Sequence, residues 1–330
     1  MKPNALIGVD SGKYATKGIL EVNGTQYVTS FRTKIQAIDG MGIDLQPGSF
    51  HVKHNGQEYL IGNMVSESMM DSNLNKHLNI HRIAIYTAVI ALFQKANLNP
   101  DDFDIHLAAN VPVNMYKDKN SKESYQSYIK QKSYPVSIRV NDIPQMFSIK
   151  SVTVAFEGVG MIYNNPEQFT NASSTIIDIG GLNTNYCSFS GLQPDFNSMI
   201  VNQLGINHLK SDIESELKRK YNLNVSANDL EQIIKEGFLI HFGEVQQESS
   251  DLIKQFKQNH LDKIISYAQI NGYTFNNTTI YFIGGGSNLL KGEIQDRFAN
   301  AYVVENPQFA NLQSFISILK VKTGHDKQVS

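Results

Sequence analysis

The sequence predicts an α/β protein of two facing domains, each a mixed sheet flanked by helices, and three observations carry that prediction. One apolar run ends in the glycine-bearing turn Asp10-Ser11-Gly12, and another ends in Asp178-Ile179-Gly180-Gly181. A meander of short strands follows each turn, and helical periodicity follows each meander. The two aspartates stand 178 − 10 = 168 positions apart in a chain of 330 residues, so each half is long enough for its own core. No sequence identity between the halves is visible, so the repeat is one of pattern.

Ala5–Val9 reads as the first strand. Ala15–Val22 and Gln26–Phe31 follow, joined by Asn23-Gly24, the strongest two-residue hairpin signal. From about 32 to 80 the residues are mixed and predict an inserted subdomain with short strands such as Tyr59–Gly62. An apolar helix Ile80–Ala96 and a strand Asp104–Ala109, stopping at Asn110-Val111-Pro112, come next. A polar helix Lys119–Lys132 and strands Val136–Val140 and Met146–Phe156 complete the first half. Ser174–Ile179, Thr184–Phe189 and Phe196–Val201 form the second meander. Ile206, Leu209, Ile213, Leu217 and Tyr221 then recur at steps of three or four and mark one apolar helix face. Asn228–Lys235 and Ser249–Asn271 extend this inserted helical part, about 206–270. Thr279–Ile283 is the last strong strand, closed by Gly284-Gly285-Gly286 and a helix to about Ala299; a final helix runs from about Pro307 to Lys320.

Composition excludes several classes of function. With 41% hydrophobic and 18% charged residues the chain is globular. A net charge of −2 gives no global attraction to nucleic acid or an anionic membrane. The short basic run Lys218-Arg219-Lys220 closes a helical pattern, where cations suit the helix dipole. The single Cys187 permits no intrachain disulfide and lies in an alternating, strand-like stretch, which leads us to expect a reducing, cytoplasmic setting. The apolar stretch Ile83–Phe93 is too short to span a bilayer, and the N-terminus lacks the pattern of a signal peptide. His77 and His81 are four apart, but no third ligand is in view, so they read as surface residues.

Three loops carry the chemistry. In Asp10-Ser11-Gly12-Lys13-Tyr14-Ala15-Thr16-Lys17, a tight turn aims backbone N–H groups at a phosphate, and Lys17 adds a positive charge. Asp10, at a strand end, suits a Mg²⁺ ion that keeps most of its waters. Gly8-x-x-x-Gly12-Lys13 is one residue short of a P-loop and has Tyr14 where that motif binds magnesium. Asp178-Ile179-Gly180-Gly181-Leu182-Asn183-Thr184 repeats the form. Ile283-Gly284-Gly285-Gly286-Ser287-Asn288 ends a strand and opens a helix, clearing side chains from a site that favours phosphate. Either aspartate turn alone is commonplace; two such turns, half a chain apart, are not.

In order and spacing these loops resemble the phosphate-one, phosphate-two and adenosine motifs of the actin superfamily, over about residues 5 to 320. Val154-Ala155-Phe156-Glu157 resembles the first connecting motif, and Phe309 to Phe315 the second. In the plasmid-segregation branch of ParM/StbA type the connecting-motif acid is Glu, as here; many relatives follow it with Pro, and here Gly158 follows. The resemblance implies an actin-like (ribonuclease H-like) fold, with one domain of residues 1–165 plus 307–330 and another of 166–306. It implies ATP, with GTP left open, and Mg²⁺ held through water by Asp10 and Asp178, while Glu157 orients the attacking water. The nucleotide would be bound by Ser11, Gly12, Lys13, Lys17, Gly180, Gly181, Asn183, Thr184, Gly284, Gly285, Gly286 and Ser287. Lys235-Glu236 resembles a pair that clasps adenine and ribose, and is equally readable as a solvated helix end.

The implied function is a filament-forming ATPase that segregates plasmid DNA through a ParR-like, centromere-binding adaptor. Its partners would be copies of itself and that adaptor, with no direct nucleic acid and no membrane. A chaperone needs more length, and a sugar kinase needs a second polar cluster for its sugar. A chromosomal cytoskeletal actin and a metabolic kinase of the same superfamily remain the alternatives.

Overall fold

Apolar runs such as Ala5–Val9 leave no polar face, so strands built from them need cover on both sides. In the computed structural model, residues 2–12, 14–40, 42, 44–66, 79–111, 113–156, 162, 166–304 and 310–324 are described. In chain order the first half comprises β1 (Asn4–Ser11), β2 (Ala15–Val22), β3 (Thr25–Arg32), β4 (Ile35–Ile38), β5 (Ser49–His54) and β6 (Gln57–Gly62). It continues with α1 (Asn79–Ala96), β7 (Asp104–Val111), α2 (Val113–Lys117), α3 (Lys119–Ile129), β8 (Val136–Val140), β9 (Ile143–Phe147) and β10 (Ile149–Phe156). These elements and the C-terminal helix Ala310–Thr323 form one compact unit, Met1–Asn165 with Phe309–Ser330.

Its main sheet runs β10-β7-β1-β2-β3, parallel from β10 to β1 and antiparallel from β1 to β3. Glycines set the depth of the cover on each face. A Cβ on Gly8 would stand 3.0 Å from Phe315 Cβ and 3.3 Å from the Leu312 carbonyl oxygen, so the C-terminal helix lies against β1. A Cβ on Gly18 would stand 3.0 Å from Leu92 Cδ1, where α1 covers the opposite face. α1 is buried almost all round because a second sheet, β4-β6-β5-β8-β9, packs on its far side. There Tyr86 makes an edge contact with Phe147 and donates to the Ile129 carbonyl at 2.8 Å.

Several expectations are corrected. The inserted subdomain is not confined to 32–80, since β8 and β9 complete its sheet, and pairing over that separation leaves no local signature. Met146–Phe156 is not one strand but the end of β9 and all of β10, parted at Ser148 into different sheets. The polar helix stops at Ile129, because Gln131 and Lys132 take φ of +52° and +51°.

The second unit, Pro166–Gln308, comprises α4 (Pro166–Phe169), β11 (Ser173–Ile179), β12 (Thr184–Ser190), β13 (Gln193–Pro194) and β14 (Ile200–Asn202). Then come α5 (Ile206–Tyr221), α6 (Ala227–Glu236), β15 (Leu239–His241), β16 (Glu244–Gln246) and α7 (Gln247–Ile270). β17 (Thr279–Ile283), α8 (Gly285–Leu289), α9 (Lys291–Arg297) and β18 (Tyr302–Val303) complete it. The sheet order is β13-β12-β11-β17-β18, parallel from β18 to β11 and antiparallel beyond, the same plan as the first unit. Instead of a strand over Phe196–Val201 there are two short ones, β13 and β14, with Phe196 exposed between them. The helical insert also holds the hairpin β15–β16, and the helix expected up to Ala299 is broken at Leu290 into α8 and α9. The final helix starts at Ala310; residues 305–309, with the expected start at Pro307, lie outside the described residues.

His260 on α7 is 2% exposed, and neither ring nitrogen has a partner among the described residues. Burial, reinforced by Lys263 and His208 and opposed by Asp212, lowers its pKa from 6.5 to about 4. A group with a depressed folded pKa binds its proton first in the unfolded chain, so stability falls as pH drops from 6.5 towards 4. The loss is at most about 3 kcal/mol. In urea titrations across that window, His260→Leu is expected to show a shallower loss than the wild type.

Candidate functional site

Antiparallel register sets Asp10 opposite Lys17 and Ser11 opposite Thr16 across the β1–β2 hairpin. Gly12 makes that turn possible, since a Cβ there would stand 2.9 Å from the Ala15 carbonyl oxygen. Asp10 is half-buried, and its Oδ1 accepts from Asn110 Nδ2 at 2.8 Å. Parallel pairing of Val9 with Ala109 is what carries Asn110 to that position. Lys17 is half-buried as well, and its ammonium makes no hydrogen bond or ion pair among the described residues. Lys13 and Glu157 lie outside the described residues, as does His77.

The buried hydroxyl of Ser11 lies 3.2 Å from His81 Nδ1. His81 is 1% exposed, which corrects its reading as a surface residue: it sits in the first turn of a helix buried between two sheets. Asn110 and His81 are the site neighbours that sequence reasoning missed. Asn110, polar at the end of an apolar strand, was the signal that could have marked one of them.

The second unit repeats the arrangement. Asp178 is opposite Asn185 across the β11–β12 hairpin and is 6% exposed. A Cβ on Gly180 would stand 3.0 Å from the Asn183 carbonyl oxygen, which also accepts from the Gly180 N–H at 2.9 Å. Thr16 and Thr184 turn their hydroxyls inward alike, one to Thr33 Oγ1 and the other donating to the Leu204 carbonyl, each at 2.8 Å. Asp, Gly and Thr therefore recur at one offset (178 − 10 = 180 − 12 = 184 − 16 = 168). The halves share these identities after all; three matches in eight positions are invisible until the register is known.

Two features lock the second loop. The carbonyls of Gly180, Gly181 and Leu182 accept from the N–H groups of Ile206, Asn207 and Gly205 at 2.8–3.1 Å, satisfying the first turn of α5. Gly205 is obligatory there, because a Cβ would lie 2.4 Å from the Gly181 carbonyl oxygen. The third loop joins on the other side, since Asp178 pairs with Ile283 on β17. Gly284 has φ +84°, and a Cβ on it would stand 2.3 Å from Asp178 Oδ1. Two of the three sequence-predicted loops are thus in direct apposition. Gly286 packs under Ile179 and Ile206, while Gly285 is exposed with open space beside it. Ser287 is buried and donates to the Ile283 carbonyl, so its hydroxyl serves the helix start. Lys235 and Glu236 occupy the exposed last turn of α6, closed by Gly237 at φ +80°.

Among the described residues no group of three or more His, Cys, Asp or Glu side chains is placed to hold a metal ion. A Mg²⁺ ion that keeps its waters requires only carboxylates in its outer shell. Asp10 in the first unit and Asp178 in the second are each, taken singly, a strand-end carboxylate of that kind beside a glycine turn. No helix among the described residues is long and apolar enough to cross a membrane.

Comparison with known proteins gives the class. Residues 8–160 match the family of actin-like proteins, N-terminal domain. No curated protein sequence matches the chain. Among solved structures, a filament structure of Alp12 is 27% identical, with a TM-score of 0.73, over 97% of this chain and 99% of that one. A 15-stranded ParM filament from Clostridium botulinum is 16% identical, with a TM-score of 0.77, over 97% and 99%. An archaeal actin homologue, Ta0583, in complex with ADP is 14% identical, with a TM-score of 0.74, over 96% and 99%. The fold is therefore actin-like, and residues 8–160 of the first unit are similar to the actin-like N-terminal domain. The structural neighbours include ParM and Alp proteins as well as the archaeal actin homologue.

The Gly284 geometry leads to a paired test. Its backbone region is accessible in practice only to glycine, so Gly284→Ala is expected to lower the unfolding free energy by about 2 kcal/mol. Gly285→Ala, with no atom within 4 Å of the new Cβ, is expected to leave it within about 0.5 kcal/mol. Urea unfolding of both variants measures the contrast.

Proposed function

We propose that this chain is an ATPase that polymerises on ATP and segregates plasmid DNA, acting in the cytoplasm through a separate DNA-binding adaptor. The observation that carries this reading is the duplicated hairpin, in which Asp10-x-Gly12 and Asp178-x-Gly180 hold carboxylates beside tight glycine turns. Full-length similarity to an Alp12 filament supports the assembly half of the reading. Within each unit, the strand-end carboxylate and the N–H groups of its glycine turn are of the kind that a magnesium-bound polyphosphate takes. In this reading Asp10 and Asp178 hold the ion through water, the Gly284–Gly286 loop takes the adenosine side, and Lys17 meets a phosphate. Glu157, by the family resemblance, aligns the attacking water. A net charge of −2 favours an adaptor over direct DNA contact.

Pelleting of the purified protein above a threshold concentration with ATP and Mg²⁺, and not without nucleotide, is the expected outcome. A protein that stays monomeric at tens of micromolar and phosphorylates a sugar would make it a metabolic kinase instead. Lys17→Ala is expected to weaken ATP binding by roughly 1.5–3 kcal/mol in calorimetry, the range for a charge-assisted contact. Glu157→Ala is expected to bind ATP and pellet, yet release phosphate ~10²–10⁴ times more slowly. Turnover at the wild-type rate would remove Glu157 from the chemistry.

A further inference from the structure

Among the described residues, four two-residue hairpin turns have positive φ at both positions: Asn23-Gly24, Asn55-Gly56, Asn141-Asp142 and Phe242-Gly243. Asparagine leads three of them, as the local physics favours. In the fourth, a phenylalanine takes φ +50°, a region that bulky side chains rarely adopt. Phe242 is also 94% exposed, and among the described residues its one ring contact is with His241, tilted at 42° with centroids 4.1 Å apart. Ile240 and Val245, on the two strands behind it, are exposed too. Neither turn propensity nor burial explains this residue. The hairpin is nonetheless firmly based: the Leu239 N–H donates to the buried Ser249 hydroxyl at 2.8 Å, and Ser249 donates to the Gln246 carbonyl. A rigid base presenting an apolar tip loses little entropy on docking.

The occupant is indicated by charge and by where else apolar surface is exposed. Glu244 stands on the hairpin, Glu236 precedes it and Glu248 follows, while the neighbouring cations are Lys235 and Lys220, the latter already paired with Glu248 at 2.7 Å. An acidic rim does not suit an anionic lipid surface. The outer face of the β8–β9 edge in the first unit offers the complement: exposed Met146 shares that face with exposed Arg139, exposed Lys132 and Tyr134 lead into β8, and exposed Ile143 stands at the turn beside the one acid, Asp142. β9 ends its sheet, and Pro144 removes a donor from that edge, so the edge receives side chains better than an added strand.

We propose that the hairpin Leu239–Gln246 seats Phe242 on the β8–β9 edge of a second copy of this chain, an inference that rests on the polymerising reading above. Knob and seat are different surfaces, so the contact is heterologous, the kind that propagates into a filament when its rotation does not close into a ring. Phe242→Asn is the sharpest variant, since it restores the residue the turn prefers. It is expected to keep or raise the melting temperature, keep ATP binding, and raise the threshold concentration for pelleting by about tenfold or more. Glu244→Arg and Arg139→Glu are each expected to raise that threshold, and the double variant to lower it again.

Pelleting of Phe242→Asn at the wild-type threshold overturns the hairpin contact while leaving the polymerising reading intact. A wild type that does not pellet overturns both. A double variant no better than its parents overturns the assigned seat. Flotation of the wild type, and not of Phe242→Asn, with phosphatidylglycerol vesicles assigns the tip to membrane and overturns the self-contact.

Discussion

The approach of a glycine to the carbonyl three residues ahead of it is the constraint on which the rest of the structure depends. At Gly12 and again at Gly180 any side chain would meet that oxygen at about 3 Å. Because the turn closes there, the next strand returns in a register that sets Asp10 across from Lys17 and Asp178 across from Asn185. The carboxylates are therefore aimed by backbone sterics, with side-chain hydrogen bonds such as Asn110 to Asp10 added afterwards.

Close packing extends the same principle outward. Gly8 and Gly18 let the C-terminal helix and α1 lie directly on opposite faces of the first sheet. In the second unit, Gly205 and Gly284 bring a helix start and a neighbouring strand end onto one loop. A protein interior packed to crystal density leaves no slack at such points. The candidate loops are thus joints where several elements meet, and in the first of them Arg32 Nε also donates to the Tyr14 carbonyl at 3.2 Å.

Much of this was legible in the sequence. Asn23-Gly24 marks a hairpin, Thr279–Ile283 has the bounds its composition predicts, and each of the three glycine loops follows the strand end expected of it. These features are local, and local sterics write themselves into residue choice. What failed was non-local. The pairing of β5 with β8 joins segments that only the fold brings together, and Ser148 divides an alternating run between two sheets without any turn signal. His81 is buried without any local signal, because a polar residue's burial depends on what covers its helix. Phe196–Val201 had strand-like composition, yet Phe196 is exposed and pairing starts only at Ile200.

The capping of α5 by loop carbonyls has a mechanical meaning. A helix of 16 residues is a rod about 24 Å long, and its first turn is bonded to Gly180, Gly181 and Leu182. Loop and rod cannot shift independently without breaking those bonds. The rod packs along α7, and Lys220, the second-last residue of α5, meets Glu248, just after the β15–β16 hairpin. One stiff element therefore spans the distance from the aspartate loop to the base of the exposed Phe242 knob, and a small tilt at one end becomes a larger displacement at the other.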